Sequence, residues 1–138
     1  MATIEQQVET VTTTMEIKVP VRDWIDYLTK GTDIFLRAYC GYWMLGVKLH
    51  PDRGWLVFED PDGKYTNKKE PGHDAAVEAW EKGDALPRRW HKLDKETAIK
   101  AFVEGVRLWG VDWFEKNDDA NSYDHVVQLA MLGERRYS

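Results

Sequence analysis

The basic and aromatic stretch LPRRWHK, at residues 86–92, carries the most evident binding chemistry in this sequence. It places Arg88, Arg89 and Trp90 next to one another in a chain whose net charge is −5. Guanidinium groups bind phosphates through paired hydrogen bonds and also stack on aromatic rings. The stretch therefore predicts a pocket for the phosphate of a nucleotide. Charge balance against acidic neighbours is the alternative explanation of the same residues.

Two neighbouring aromatic residues, Tyr42 and Trp43, lie in the stretch YCGYWMLG at residues 39–46. Every nucleobase presents a flat ring that stacks on aromatic side chains. Either residue could therefore hold a base if it lay on an exposed face of a strand. The same stretch also fits the first strand of a hairpin that is buried on both faces.

A polar pair, Asp124 and Gln128, stands four residues apart in a stretch that is typical of a helix. Residues at this spacing share one side of a helix. The pair therefore predicts either a polar cleft or a buried pair whose hydrogen bonds are satisfied within the protein. The predicted ligand-binding residues are thus Tyr42, Trp43, Arg88, Arg89, Trp90, Asp124 and Gln128.

The sequence lacks the residue spacings of common metal and nucleophile sites. No H-x-x-x-H or C-x-x-C pattern joins its four histidines or its single cysteine. The acidic stretch with Asp118, Asp119 and Asp124 lacks the glycine and the closing glutamate of a calcium loop, and capping of a helix N-terminus also accounts for these acids. No spacing predicts a catalytic triad. We therefore expect no catalytic residue, no metal and no cofactor.

The elements that position these residues indicate an α+β fold, with a small antiparallel sheet that includes a hairpin at 42–60 and packs against three to four helices. The hairpin rests on a Pro-Asp turn followed by Gly54 between two apolar runs. Helices are predicted at 22–31, 73–83, 94–110 and from Asp119 or Ser122 onward, from apolar periodicity and end signals. The other predictions are a strand at 10–21, a short helix or turn at 32–39, a loop at 61–72 and a connector at 84–93.

The bulk composition indicates one globular domain spanning residues 1–138, with residues 1–10 flexible. Apolar residues make up 43% and charged residues 31% of the chain, and no apolar run reaches the ~20 residues that span a bilayer. The N-terminal stretch shows no signal-peptide pattern. The single cysteine, Cys40, excludes an internal disulfide and fits a reducing cytosol. The net charge of −5 argues against a duplex nucleic-acid partner, and we expect no membrane partner.

Four motifs carry a resemblance to other proteins, namely GYW at 41–43, LPRRW at 86–90, EGVRLWGVDWF at 104–114 and DANSYDHVVQLAMLGERRY at 119–137. From residue 33 onward the chain resembles a family of small, uncharacterised proteins encoded by tailed bacteriophages and prophages. Members of such families often close on Q-x-A-L-F-G-E-x-x-Y-G, whereas this chain has Met131, Leu132 and a final Ser138. The resemblance implies a phage gene product that acts in the host bacterial cytosol.

These observations together predict a non-enzymatic binding protein. The first hypothesis is a phage counter-defence protein that sequesters a nucleotide immune signal, as a homo-oligomer with pockets shared between chains. The second is a phage inhibitor that binds and blocks a host defence protein. The third is a metal-dependent phosphodiesterase or nuclease that uses Asp118, Asp119 and Asp124. Metal-dependent turnover of a phosphodiester would distinguish the third hypothesis from the first two.

Overall fold

A three-stranded antiparallel sheet and the helices around it form the framework of the computed structural model, which describes residues 14–30, 40–116 and 119–138. The strands are β1 (Met44–His50), β2 (Gly54–Glu59) and β3 (Trp90–Leu93). The helices are α1 (a π-helical turn Val21–Asp26 continued by Tyr27–Thr29), α2 (His73–Lys82), α3 (Lys95–Trp109), α4 (Trp113–Lys116) and α5 (Ala120–Leu132). This arrangement confirms the predicted α+β fold.

The predicted hairpin is formed by β1 and β2, which pair antiparallel across a turn at residues 51–53. Gly54, at the start of β2, has φ = 81°. A Cβ atom added there would lie 2.2 Å from the carbonyl oxygen of Leu93. Glycine is therefore required where the backbone of β2 passes the end of β3. A bulge between Gly46 and Lys48 interrupts the register of β1.

The third strand, β3, lies within the segment that the sequence predicts as a connector. Its four residues pair antiparallel with β2, so β3 forms one edge of the sheet in the order β1-β2-β3. The segment gives little strand signal because His91 and Lys92 separate the buried residues Trp90 and Leu93. The strand places the basic stretch of the sequence at the edge of the sheet.

The predicted strand at 10–21 is wrong for the residues that the structure describes. Residues 14–20 have no regular secondary structure and pair with no described strand. Their apolar alternation instead reflects Ile17 and Val19, which are half-buried and pack against the core. Residues 10–13 and the short helix or turn predicted at 32–39 lie outside the described residues.

The predicted helices at 73–83, 94–110 and near residue 119 are confirmed, and their ends follow the expected capping chemistry. Asp94 precedes α3, and its side chain accepts a hydrogen bond from the Thr97 amide at 2.9 Å. Asp119 caps α5 in the same way through the Ser122 amide at 2.7 Å. Gly83 ends α2 in the left-handed conformation. None of the described helices is long and apolar enough to cross a bilayer.

The core has two parts, one on each face of the sheet. On one face α1, α3, α4 and α5 pack around Trp24, which is fully buried and donates from Nε1 to the Ala98 carbonyl at 2.7 Å. On the other face α2 packs on β2 and β3, mainly through Trp80 and Phe58. The buried tryptophans are Trp24, Trp43, Trp80, Trp90 and Trp113. Most tryptophans of the chain therefore stabilise the core.

Candidate functional site

A buried polar cluster, here called the Asp124 network, consists of Cys40, Tyr42, Trp43, Asp124 and Gln128. Asp124 Oδ1 accepts hydrogen bonds from Trp43 Nε1 at 2.8 Å and from Gln128 Nε2 at 3.0 Å. The Cys40 thiol lies 3.5 Å from the same oxygen, and the Tyr42 hydroxyl donates to Oδ2. Helix α5 presents the two polar residues one turn apart, as the sequence predicts. The structure thus brings together four of the seven predicted site residues.

Gln128 connects this network to the C-terminal tail, residues 134–138. Its side chain is fully buried, and Oε1 accepts hydrogen bonds from the amides of Arg136 and Tyr137, both at 2.8 Å. Nε2 also donates to the Tyr137 carbonyl at 2.9 Å. One amide side chain therefore binds the backbone of the tail and orients the Asp124 carboxylate at the same time.

The surroundings in the Asp124 network favour the neutral, protonated forms of Cys40 and Tyr42. Burial raises the pKa of the Cys40 thiol well above its usual value, and the nearby charge of Asp124 raises it further. Burial and the hydrogen bond to Asp124 likewise raise the pKa of Tyr42. Both groups therefore keep their protons at neutral pH. A thiolate or phenolate nucleophile is not available in this cluster.

The ring of Trp43 is not accessible to a ligand. Trp43 is fully buried and lies in the turn just before β1. Its ring stacks on Tyr137 with 5.5 Å between centroids and 18° between planes. Tyr42 is 45% exposed, but its hydroxyl is committed to Asp124. The condition under which Trp43 could stack a base, an exposed position on a strand, is therefore not met.

A second polar cluster surrounds Glu59 at the end of β2. The Glu59 side chain is 6% exposed, and its carboxylate lies 2.6 Å from His91 Nε2. It also accepts hydrogen bonds from Arg136 Nη1 at 3.0 Å and from the Tyr137 hydroxyl at 2.7 Å. Burial alone would raise the pKa of Glu59, but the hydrogen bonds from Tyr137 and His91 and the charge of Arg136 together lower it. The buried carboxylate therefore joins β2, β3 and the C-terminal tail.

An open groove next to Glu59 contains the arginines of the predicted pocket. Its volume is about 730 Å³, and Arg88, Arg89 and Arg136 all line it. Glu59 is the one carboxylate in its lining. The apolar lining comes from Leu86, Pro87, Trp90, Met131 and Leu132. Below, this is called the arginine groove. Its lining carries more positive than negative charge in a chain that is acidic overall.

The three residues of the Arg-Arg-Trp cluster have different surroundings. Arg89 has φ = 75°, which is unusual outside glycine, and its guanidinium donates to the Glu59 carbonyl at 2.8 Å and lies 4.7 Å above the Phe58 ring. Trp90 is buried and donates from Nε1 to the Pro71 carbonyl at 2.8 Å. Arg88 is exposed and makes no hydrogen bond or ion pair with any described residue. Of the three, Arg88 is thus the side chain most available to a ligand.

In the sequence, Glu59 and Asp60 at the end of the second hairpin strand could form an acid site, but a solvated strand end is the favoured interpretation. The structure instead buries both side chains, and it adds Arg136 and Tyr137, which the sequence does not predict as site residues. Glu59 and Tyr137 are 78 positions apart in the chain, and their contact depends on the tail folding back over β2. The sequence offers one weak signal, the arginines and tyrosine that close the chain after Gly133. The site is therefore built from three remote segments, of which the basic stretch alone stands out in the sequence.

Metal-binding chemistry has no support from the described side chains, among which no three histidine, cysteine, aspartate or glutamate residues gather closely enough to hold an ion. Asp119 is used in capping α5, and Asp118 lies outside the described residues. Comparison of the chain with known protein families, with curated proteins and with solved structures finds no match. The resemblance to phage proteins therefore stays a prediction.

Proposed function

We propose that this protein binds a small anionic ligand, of the nucleotide class, in the arginine groove. The observation that carries the proposal is Arg88, an exposed guanidinium without a partner among the described residues, beside Arg89 and Arg136 in one concave surface. An anion placed there would gain charge-assisted hydrogen bonds, which are stronger than neutral ones. The arginines of the groove would thus replace the hydrogen bonds with water that a phosphate loses on binding.

The apolar lining of the groove supports a ligand that has a flat or hydrophobic part as well as a charge. Leu86 and Pro87 belong to the chain just before β3, and Met131 and Leu132 to the end of α5. Small-ligand sites usually combine such apolar walls with a few polar groups that fix orientation. A nucleobase would therefore contact these side chains and not Trp43, whose ring is buried.

The expected affinity is modest for a single subunit. A charge-assisted hydrogen bond contributes about 1.5–3 kcal/mol and stacking about 1–3 kcal/mol, which together correspond to a Kd of roughly tens of micromolar at best. Tight capture would need a pocket closed by a second chain. The proposed biological role, which the phage resemblance supports, is the sequestration of a nucleotide signal in the host cytosol by a homo-oligomer.

Isothermal titration calorimetry with a panel of linear and cyclic nucleotides tests this proposal. Arg88→Ala is the informative variant because Arg88 makes no hydrogen bond or ion pair with the described residues and its loss should leave the fold intact. We expect it to weaken binding by roughly ten- to a hundredfold, as the loss of one charge-assisted contact predicts. Lys68→Ala, in the exposed loop after β2, removes the same charge and should leave binding unchanged.

Two outcomes would contradict the proposal. One is that no nucleotide binds to the wild-type protein, and the other is that Arg88→Ala binds as tightly as wild type. Either result would make the second hypothesis, a protein that blocks a host defence protein, the better interpretation of the same resemblance.

A further inference from the structure

The free edge of β3 has an unusual arrangement of hydrogen-bonding groups. The Glu59 amide donates to the Arg89 carbonyl at 2.8 Å, so the position opposite Glu59 is a hydrogen-bonded pair of the antiparallel ladder. Such pairs alternate along a ladder. His91 and Leu93 therefore face β2 with their backbone groups, while those of Trp90 and Lys92 point away from the sheet.

Two of the four outward groups have partners within the protein. The Trp90 amide donates to the Pro87 carbonyl at 3.1 Å, and the Lys92 carbonyl accepts from Thr97 Oγ1 at 3.2 Å. These bonds confirm the outward direction derived from the ladder. The Trp90 carbonyl and the Lys92 amide have no hydrogen-bond partner among the described residues. Unpaired groups of this kind make a strand edge a template for another strand.

The edge is also accessible from solvent. The arginine groove and a second open groove of about 890 Å³ share Trp90 and His91 in their lining. They also share Leu86 and Met131, which pack on opposite faces of the sheet. The two grooves thus form one trough along β3, and an added strand could reach the free carbonyl and amide from there.

We propose that β3 pairs with β3 of a second copy of this chain, antiparallel and about a two-fold axis at His91. In this register the Lys92 amide of each copy donates to the Trp90 carbonyl of the other. In an antiparallel ladder, two bonds of this kind flank a non-hydrogen-bonded pair, which here consists of the His91 residues of the two copies. The two free groups of each copy, four in the dimer, are all hydrogen-bonded in this arrangement. The bonds to Pro87 and Thr97 stay in place. The product is a continuous six-stranded sheet.

Charge complementarity at the two ends of β3 favours a second copy as the occupant. Arg88 and Arg89 stand immediately before the strand, and Asp94, Lys95 and Glu96, with a net charge of −1, follow it. The two-fold arrangement places the start of one β3 beside the end of the other, so the arginines of each copy approach the acidic residues of its partner. Opposite charges across an interface help to set its register. The pairing goes beyond the anion-binding function and needs no bound anion, but it brings Arg88 close to acidic residues of the second copy. An anion in the arginine groove and this contact would therefore compete for the same guanidinium.

The mass of the protein in solution, from size-exclusion chromatography with light scattering, tests the pairing. We expect the wild-type chain at about 100 µM to have twice the 16.1 kDa mass of one copy. Lys92→Pro removes the one amide hydrogen that the pairing needs, at an edge position whose amide the ladder within one copy does not use. We expect this variant to dissociate roughly tenfold or more readily, since both symmetric bonds are lost. Lys92→Ala loses the same charge but keeps the amide, and it should dimerise like wild type.

Amide hydrogen exchange at Lys92 gives a second measurement that needs no variant. We expect the Lys92 amide of the wild-type protein to be protected at high protein concentration and to lose protection on dilution. A wild-type chain that stays monomeric, an exposed Lys92 amide at every concentration, or a Lys92→Pro variant that dimerises as well as Lys92→Ala would each overturn the proposal. If the chain stayed monomeric, the free edge of β3 would instead be a docking site for a strand of a different protein.

Discussion

Asp124 is a shared acceptor for three side chains, two of which are fully buried. It is 4% exposed and accepts hydrogen bonds from Tyr42, Trp43 and Gln128. The alternative that the sequence leaves open, a buried polar pair that satisfies itself, agrees with this geometry. Asp124 and Gln128 therefore hold the start of β1 and the C-terminal tail against α5, and neither side chain points into the arginine groove.

We expect Asp124→Ala to lower the free energy of unfolding by about 3 kcal/mol or more. The substitution leaves the fully buried Nε1 of Trp43 and one N–H of the fully buried Gln128 amide without the Asp124 acceptor, and each such group costs about 1–3 kcal/mol. Asp62→Ala, in the exposed loop after β2, should change stability by less than about 0.5 kcal/mol. Urea unfolding followed by tryptophan fluorescence measures both values. Equal stability of the two variants would mean that the Asp124 network does not contribute the expected free energy to folding.

Gly105 allows α3 and the segment around α4 to pack closely. An added Cβ on Gly105 would lie 2.2 Å from the ring of Trp113, which is fully buried and donates to the Phe102 carbonyl at 3.1 Å. Because the ring is fully buried and held by this hydrogen bond, it could move aside only by disturbing the packing around it. A glycine inside a helix, ordinarily a cost of about 1 kcal/mol relative to alanine, is required here by the neighbouring tryptophan.

We therefore expect Gly105→Ala to destabilise the protein by about 1–3 kcal/mol, although alanine is the better helix former. Lys100→Ala, on the exposed side of the same helix, should be within about 0.5 kcal/mol of wild type. In a Trp113→Phe background the Gly105→Ala substitution should cost less, because the smaller ring relieves the collision. A stabilising effect of Gly105→Ala in the wild-type background would refute this account.

The elements that the sequence predicts well are those whose ends carry local chemistry. The Pro-Asp turn before Gly54 predicts the hairpin, and the caps at Asp94 and Asp119 predict the starts of α3 and α5. β3 is missed because four residues with a polar pair in the middle give no periodic signal. The apolar alternation of residues 14–20 misleads for the opposite reason, since it arises from packing on the core without a partner strand.

The candidate site is less predictable because its contacts join distant parts of the chain. The one-turn spacing of Asp124 and Gln128 is visible in the sequence, but their contact with Tyr42 spans more than eighty residues. The sequence therefore predicts which residues are chemically notable and not which of them meet. The sequence predicts that the basic stretch and the aromatic pair Tyr42 and Trp43 share one pocket, whereas the structure places the aromatic pair in the Asp124 network, outside the lining of the arginine groove.

Glu59 links parts of the chain that are far apart in sequence. Its carboxylate joins the end of β2 to His91 in β3 and to Arg136 and Tyr137 in the C-terminal tail. The same tail is bound by Gln128 and stacks on Trp43 through Tyr137. The tail is therefore part of the folded structure, and the arginine groove is complete only when the tail contributes Arg136.

The ionisation of Glu59 should make this arrangement sensitive to acid. Hydrogen bonds from Tyr137 and His91 and the charge of Arg136 outweigh burial and lower the pKa of the folded state below the ordinary value of 4.5. The stability that Glu59 contributes is therefore present above pH 4.5 and is lost as the pH falls through the lower pKa of the folded state. Protonation would weaken the contacts of the tail and of β3 together.

We expect Glu59→Gln to lower the free energy of unfolding at pH 7 by about 1.5–3 kcal/mol, since it removes charge-assisted hydrogen bonds. Between pH 5 and pH 3, measured at closely spaced values, its stability should fall less steeply than that of wild type, because the variant has no carboxylate to protonate at this position. Urea unfolding at each pH gives the two curves. Glu78→Gln, which changes an exposed carboxylate on α2, should run parallel to wild type. Parallel curves for Glu59→Gln and wild type would mean that the carboxylate of Glu59 does not couple the tail to the sheet, and the groove would then owe its shape to the Gln128 contacts alone.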